Sequence, residues 1–241
     1  MIIIKMNILF KLIRYPFRLF IKSKFINEKK LNDRFLIIYK NNYWDNSETV
    51  SGPGSTLKTT HNLRKELKKV IKDYNIKSIF DAPCGDCNWI EKIIKNSRIK
   101  YIGADIVNDI IIKNKKKFNN KKISFKRMDI TREKIPKTDL FICRDFLFHL
   151  SYEDIFIFLK NLKKSNSKYL LISSHYKNEK IENINKDIHS GDFRKIDIFQ
   201  PPFNFSNNYL TVIDDYCDNA KKYLYLFKRK DFVKFFDSMN S

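Results

Sequence analysis

The sequence predicts one α/β domain built on a mainly parallel sheet. Apolar residues 76–80 end at Asp81, and a tight turn at Gly85 then precedes an amphipathic segment. Two further short apolar segments, residues 101–107 and 123–130, carry an acidic residue near their ends. Strand, loop and helix in this order place ligand-binding residues at the carboxyl ends of the strands.

The composition suits one core and carries a large positive charge. The chain has 241 residues, of which 43% are hydrophobic and 15% aromatic, and these numbers fit one domain with short extensions. Its formal net charge is +21, and lysine rather than arginine supplies it, with 38 Lys against 10 Arg. Arginine is the usual residue for bidentate phosphate contacts. We therefore interpret the charge as a composition bias first and as a nucleic-acid surface second.

Residues 1–25 are apolar and basic, and four basic residues fall on one face of a helix: Lys11, Arg14, Arg18 and Lys22. The basic residues and Pro16 interrupt the segment too often for a membrane span, and a signal-peptide cleavage site is not apparent. We predict a basic amphipathic extension over residues 1–40 and a domain over residues 41–241. The extension either lies on an anionic membrane surface, packs on its own domain or is disordered.

Four cysteines, Cys84, Cys87, Cys143 and Cys217, favour a reducing, cytoplasmic location, with membrane association through residues 1–25 as an addition. Cys84 and Cys87 form a C-x-x-C pair, which alone is a weak metal or redox signal. A zinc site would need all four thiols to converge. We expect buried structural thiols and no metal.

The charge of the loop after residue 80 indicates its ligand. A dinucleotide pyrophosphate needs several glycines for close backbone approach, but this loop has only Gly85, and Asp81 and Asp86 would repel phosphates. S-adenosylmethionine (SAM) has a cationic amine and a sulfonium and no phosphate, so it fits better. Asp105, 24 residues after Asp81, is placed to accept hydrogen bonds from a ribose.

This loop resembles motif I of the class I SAM-dependent methyltransferases, acid-x-Gly-x-Gly-x-Gly. Asp81 and Gly85 match the motif, whereas Pro83 and Cys87 replace its first and third glycines. The resemblance covers about residues 51–230. Further along, Cys-Arg-Asp at 143–145, His-Leu-Ser-Tyr-Glu-Asp at 149–154 and Lys-Tyr-Leu-Leu at 168–171 resemble a subgroup of small members of that family.

The resemblance implies a Rossmann-like sheet of seven strands flanked by helices, in the order 3-2-1-4-5-7-6, with strand 7 antiparallel. It also implies that Asp129 takes the adenine amino group while Ile130 packs on the ring. The candidates for binding the cofactor are Asp81, Ala82, Pro83, Gly85, Asn88, Trp89, Asp105, Ile106, Asp129, Ile130 and Arg144. Arg144 is alternatively an ion-pair partner or a holder of an anionic acceptor.

Two loops are expected near the site. Residues 51–56, with two of the five glycines, precede a helical pattern at 63–74 and could fold over the methionine end of the cofactor. The alternative is an ordinary helix start with Ser55 or Thr56 as N-cap. Residues 191–205 are expected where the fold places its last two strands, with their connection over the acceptor pocket.

Methyl transfer from a sulfonium is an in-line displacement, so the protein mainly aligns the reactants. A hydroxyl or amine acceptor also needs a general base, for which the candidates are Asp145, His149 and His175. Residues 138–145 are predicted to form the fourth strand. Asp145, at its end, is the first choice for the general base by position.

The leading prediction is a SAM-dependent methyltransferase for a small-molecule or glycan acceptor. The alternatives are an RNA methyltransferase, a nucleotide-cofactor oxidoreductase, and a non-catalytic protein that binds membrane or nucleic acid on a methyltransferase scaffold.

Overall fold

The computed structural model describes residues 2–175, 184–216 and 221–238, with side chains described from residue 15 to residue 233 within those ranges. Seven strands form one sheet in the order β3-β2-β1-β4-β5-β7-β6. They are β1 Ser78–Asp81, β2 Lys100–Asp105, β3 Ile123–Arg127, β4 Leu140–Cys143, β5 Tyr169–His175, β6 Thr211–Asp214 and β7 Lys222–Lys228. β1 to β5 pair in parallel, and β7 runs antiparallel to β5 and β6. The predicted Rossmann-like fold and strand order are confirmed.

Helices cover both faces of the sheet: α1 Ile2–Asn27, α2 Leu31–Lys40, α3 His61–Asp73, α4 Glu91–Ile94, α5 Asn108–Phe118, α6 Tyr152–Lys163 and α7 Arg229–Ser238. Ser151 is the N-cap of α6, because its hydroxyl accepts a hydrogen bond from the Asp154 N–H at 3.2 Å. α3 covers the predicted helical pattern, but its N-cap is Thr60, so the alternative with Ser55 or Thr56 as N-cap is wrong. Ser55 instead ends a 3-10 turn, Pro53–Ser55.

The central strands β1, β4 and β5 are buried on both faces, so their side chains alternate between two hydrophobic layers. Phe80 and Phe141 lie in one layer, with ring centroids 5.2 Å apart. Ile79 and Ile142 lie in the other, against α3 and α4. The sheet is thereby fixed in position, and the carboxyl ends of its parallel strands form a rigid edge.

The second half of α1 and all of α2 pack on the first layer. Ile21, Phe25, Phe35 and Ile38 are buried there, and packing continues across residue 40. The N-terminal segment is thus, from about Ile21 onward, a helix pair packed on its own domain. Side chains before Tyr15, including the predicted Lys11 and Arg14, lie outside the described residues. No helix in the described part of the chain is both long enough and apolar enough to cross a membrane.

Residues 191–205 contain neither of the last two strands, which corrects the expectation for this stretch. β6 and β7 follow it in the chain. The stretch is instead a loop held by buried apolar side chains, among them Ile196, Ile198 and Phe203. Ile196 and Ile198 have the two-residue spacing of a strand, and the Ile196 carbonyl accepts from the His175 N–H at 2.7 Å, but the stretch adds no strand to the sheet. Its buried side chains anchor the loop against the same core as α6.

Candidate functional site

A cavity of about 740 Å³ lies at the carboxyl ends of β1 to β5. Ligands in open α/β sheets bind at this edge. Twelve of the predicted site residues line the cavity: Asp81, Pro83, Gly85, Trp89, Asp105, Ile106, Asp129, Ile130, Arg144, Asp145, His149 and His175. Ala82 and Asn88 are not among its lining residues.

Two buried carboxyls stand at the ends of the central strands. Asp81 ends β1 and accepts a hydrogen bond from the Tyr101 hydroxyl at 2.7 Å. Burial raises the pKa of Asp81 to about 7, although this hydrogen bond and the charge of Arg144 act in the opposite direction. Burial likewise raises the pKa of Asp105 to about 6. A cation beside them would favour their ionised forms.

Asp105 also shapes the loop that follows β1. One carboxylate oxygen accepts from the Gly85 N–H at 3.1 Å and the other from the Val107 N–H at 3.0 Å. Each oxygen keeps a second lone pair, so the carboxylate can still accept from ligand hydroxyls.

Asp129 follows β3 and supplies the third carboxylate. Its Oδ1 accepts from the Thr131 N–H at 3.0 Å and from the Thr131 hydroxyl at 2.6 Å. Because these contacts all use Oδ1, Oδ2 can accept a hydrogen bond from a ligand. Ile130 beside it is buried and offers an apolar surface to the same cavity.

The loop after β1 is held by side chains and needs glycine at one position. Gly85 has φ +52°, and a Cβ there would lie 2.0 Å from the Ser51 hydroxyl. Cys87, in the place of the third motif glycine, takes a left-handed φ of +58° without being glycine. The loop therefore keeps its turn despite the lost glycine, with the Asn114 amide donating to the Gly85 carbonyl at 2.7 Å.

Asp86 and Asn88 hold the neighbouring loop of residues 51–56, which we call the Gly/Ser loop. Asp86 accepts from the Thr49 hydroxyl at 2.8 Å and from the Val50 N–H at 3.0 Å. The Asn88 amide donates to Glu48 at 2.7 Å and to the Ser55 carbonyl at 3.1 Å. These contacts explain why Asn88 is directed at the loop and is not a cavity-lining residue.

The cysteines of the loop pack as small apolar groups. Cys84, Cys87 and Cys143 are free and buried. Burial holds the pKa of the Cys84 thiol well above its usual value, which disfavours the thiolate. Across the described ranges, no three His, Cys, Asp or Glu side chains are grouped as metal ligands. Cys217 lies outside the described residues.

Arg144, which follows β4, is buried and directs its guanidinium at partners within the protein. Its Nε and Nη2 donate to the two carboxylate oxygens of Asp215 at 2.9 and 3.0 Å. Nη1 contacts the Ser55 hydroxyl and Asp145 at 3.1 Å each, and Nη2 donates to the Gly54 carbonyl at 2.7 Å. All three guanidinium nitrogens thus have partners within the protein, through four hydrogen bonds and the ion pair with Asp145. Arg144 clamps the Gly/Ser loop to the sheet, which supports its ion-pair interpretation.

Asp145 forms a second buried pair with Lys222. The ammonium lies 2.6 and 2.7 Å from the two oxygens of Asp145, and 3.0 Å from Asp215. Burial alone would raise the pKa of Asp145, but the charges of Arg144 and Lys222 outweigh it and lower the pKa to about 2. Asp145 is therefore an ionised carboxylate with little tendency to take up a proton.

The two histidines of the cavity hold opposite tautomers. The Nδ1 of His149 lies 2.9 Å from the Asp192 carbonyl, which can only accept, so Nδ1 carries the proton and Nε2 has a free lone pair. The Nδ1 of His175 lies 3.1 Å from the Ile196 N–H, which can only donate, and 3.3 Å from the Ile196 carbonyl. The shorter contact favours a neutral ring with its proton on Nε2. Burial lowers the pKa of His149, and lowers that of His175 to about 4. Both rings are neutral at neutral pH.

Aromatic rings surround His149. The ring centroid of Trp44 is 5.1 Å from that of His149, and the centroids of Phe148 and Phe193 are 4.9 and 5.8 Å away. α2 adds Phe35 and Tyr39 to the cavity wall. This end of the cavity suits an apolar or flat acceptor group.

Sequence reasoning missed several of these residues. Trp44, Asp192 and Phe193 lie in stretches whose polar and aromatic character was visible, but their role follows only from contact with His149. Lys222 carries no local signal. It meets Asp145 because β7 pairs antiparallel with β5, which sets Lys222 opposite His175.

Comparison with known proteins supports the fold. No protein-family model matches the sequence, and no curated protein matches it. Magnesium protoporphyrin IX methyltransferase (ChlM) from Synechocystis PCC 6803, solved with bound SAM, superposes with a TM-score of 0.57 at 11% identity, covering 83% of this chain and 97% of that one. The methyltransferase domain of bacterial CtHen1 gives 0.50 at 16% identity, covering 70% and 99%. The chain therefore has the fold seen in these methyltransferases.

We predict that Arg144→Ala lowers the free energy of unfolding by about 3–5 kcal/mol, because Asp215 and Asp145 lose a buried cation. Arg144→Lys keeps the charge but loses the bidentate geometry, so it should lower the free energy of unfolding by a smaller but measurable amount. Denaturant unfolding at pH 7 measures both.

Arg127→Ala is the matched control, since Arg127 pairs with Glu133 at the surface. It should cost about 0–1 kcal/mol. The clamp interpretation fails if neither Arg144 variant is less stable than Arg127→Ala.

Proposed function

We propose that the chain is a SAM-dependent methyltransferase that acts on an oxygen or nitrogen of a small-molecule or glycan acceptor. The observation that carries the proposal is the row of Asp81, Asp105 and Asp129, which line one cavity at the ends of three adjacent strands. The shared fold with a methyltransferase solved with bound SAM adds support.

The carboxylates and apolar side chains that line the cavity fit SAM. Carboxylate oxygens accept hydrogen bonds and attract cations, so Asp105 would hold ribose hydroxyls, and Asp129 with Ile130 would hold the adenine. Asp81 would lie near the cationic methionine end, beside the Gly85 loop. The same carboxylates disfavour a pyrophosphate, which argues against a nucleotide-cofactor oxidoreductase. When bound, SAM supplies an electrophilic methyl group on its sulfonium.

The remaining residues orient the acceptor and handle its proton. Asp145, the first choice from sequence position, is engaged by two cations and has a low pKa. We therefore assign the general base to Nε2 of His149, whose Nδ1–H is fixed by the Asp192 carbonyl. Burial lowers the pKa of His149, and the charge of Asp145 partly offsets this and so would stabilise the imidazolium that forms. His175 Nε2–H can donate a hydrogen bond to the acceptor.

Aromatic walls complete the acceptor end. Trp44 and Phe148 would shield His149 from water, and the half-exposed Phe193 would add stacking and apolar contact to the acceptor. Proximity and orientation then supply most of the rate of an in-line displacement.

We predict saturable SAM binding by calorimetry, and a loss of affinity of about 10- to 100-fold in Asp129→Asn. The asparagine keeps an oxygen for Thr131 but sets an NH2 group where the adenine amine needs an acceptor. Affinity should also rise between pH 5 and pH 8, because Asp105 and Asp81 become ionised as the pH passes about 6 and about 7.

Asp73→Asn removes the same charge from the exposed end of α3 and should bind SAM as the unchanged protein does. No SAM binding at any pH, or tighter binding of a nicotinamide dinucleotide, would remove the proposal.

The histidine assignment makes a prediction that needs no acceptor. In ¹⁵N-edited NMR spectra at pH 7, His149 should be the neutral Nδ1–H tautomer, with its pKa lowered by burial, and His175 the neutral Nε2–H tautomer with a pKa of about 4. His149→Gln and His175→Gln assign the signals among the four histidines. An imidazolium, or an Nε2–H tautomer, for His149 at pH 7 would exclude it as the base.

A further inference from the structure

α1 carries the densest group of exposed apolar side chains in the described chain. Nine large hydrophobic side chains are exposed among the described residues, and four of them fall within residues 15–20: Tyr15, Phe17, Leu19 and Phe20. Each is at least half exposed. The other five are scattered over other elements, as is ordinary for a protein surface. On the helix, Tyr15 and Leu19 (i,i+4) share one face and Phe17 and Phe20 (i,i+3) share another. We call this exposed apolar segment, residues 15–20, the α1 patch.

The α1 patch is rigidly attached to the domain. Just after it, Ile21 and Phe25 are buried in the core, and the Phe25 ring packs edge-on against Tyr43 at 5.2 Å. Lys22 forms an ion pair with Asp192 on the cavity wall. The patch therefore projects from a fixed base.

The sequence of α1 carries charges of one sign. The first acidic residue of the chain is Glu28, and before it stand six basic residues: Lys5, Lys11, Arg14, Arg18, Lys22 and Lys24. Apolar side chains interleaved with lysine and arginine on a helix are typical of helices that lie in the interface of an anionic membrane. The net charge of +21 attracts the whole protein to such a surface.

We propose that α1 docks this protein on an anionic phospholipid bilayer through the α1 patch. Leu19 and Phe20 can bury apolar surface at the boundary between the headgroups and acyl chains of a bilayer, whereas the phosphates of a nucleic acid offer them no apolar contact. A second copy of the chain would bring the same excess of basic residues against this one, which disfavours self-association through this helix.

Docking would also orient the cavity. Arg18 is part of the α1 patch segment, lies over the Tyr43 ring at 4.8 Å and lines the cavity. The α1 end of the cavity therefore faces the membrane surface in the docked protein. The inference stands apart from the proposed function, because docking requires no methyl transfer.

The test is co-sedimentation of the full chain with vesicles. Vesicles of phosphatidylcholine mixed with phosphatidylglycerol should bind the protein, whereas vesicles of phosphatidylcholine alone should bind it far more weakly, and added salt should weaken the binding. Leu19→Gln with Phe20→Gln should weaken binding to the mixed vesicles by at least about tenfold.

Ile112→Gln with Val212→Gln is the matched control, since both side chains are exposed on other elements. It should bind the mixed vesicles unchanged. Thermal unfolding followed by circular dichroism, measured on the same samples, reports whether each variant is folded and does not depend on SAM binding, so failure of this inference and failure of the proposed function are distinguishable.

The inference is overturned if the mixed vesicles do not bind the protein or bind the Leu19/Phe20 variant equally well. Self-association, or RNA binding, that the same variant abolishes in the absence of vesicle binding would also overturn it and would identify another occupant for the α1 patch.

Discussion

The buried charge cluster of Arg144, Asp145, Asp215 and Lys222 is the constraint on which the acceptor end of the cavity depends. A buried ion costs several kcal/mol of desolvation unless its partners are well placed, so each of the four fixes the positions of the others. Through them the end of β4, the residue after β6 and the first residue of β7 are held together. The Gly54 and Ser55 contacts of Arg144 then attach the Gly/Ser loop to the same cluster.

This cluster also divides the cavity into two electrostatic regions. Its two cations and two anions compensate one another, so the end near His149 is close to neutral and lined by aromatic rings. At the other end Asp105 and Asp129 have no cation as a close partner among their described contacts. A positively charged ligand therefore gains most at the carboxylate end, and an uncharged acceptor at the aromatic end. The separation matches a reaction between a cationic donor and a neutral nucleophile.

Much of the fold and of the carboxylate end could be predicted from the sequence. Strands that end in acids place those acids at one edge of a parallel sheet, so Asp81, Asp105 and Asp129 meet whatever the details of the loops. The prediction of this loop holds although Cys87 replaces a motif glycine, because Cys87 itself adopts the left-handed backbone conformation. The acceptor end was harder to predict. The pair of Asp145 with Lys222 spans 77 residues, and that of Arg144 with Asp215 spans 71, so their formation depends on how the last strands pair. α2 and its cavity-facing rings were missed because the segment was treated as part of an extension.

The most direct measurement of the central claim is a crystal structure of the protein grown with S-adenosylhomocysteine, the product that remains after methyl transfer. The account predicts that the ribose hydroxyls donate to Asp105 and the adenine amine donates to Oδ2 of Asp129. It also predicts that the sulfur is directed toward the end of the cavity lined by Trp44 and His149. The account would be contradicted if crystals grown at saturating ligand showed no ligand beside Asp81, Asp105 and Asp129, or showed it bound elsewhere on the molecule.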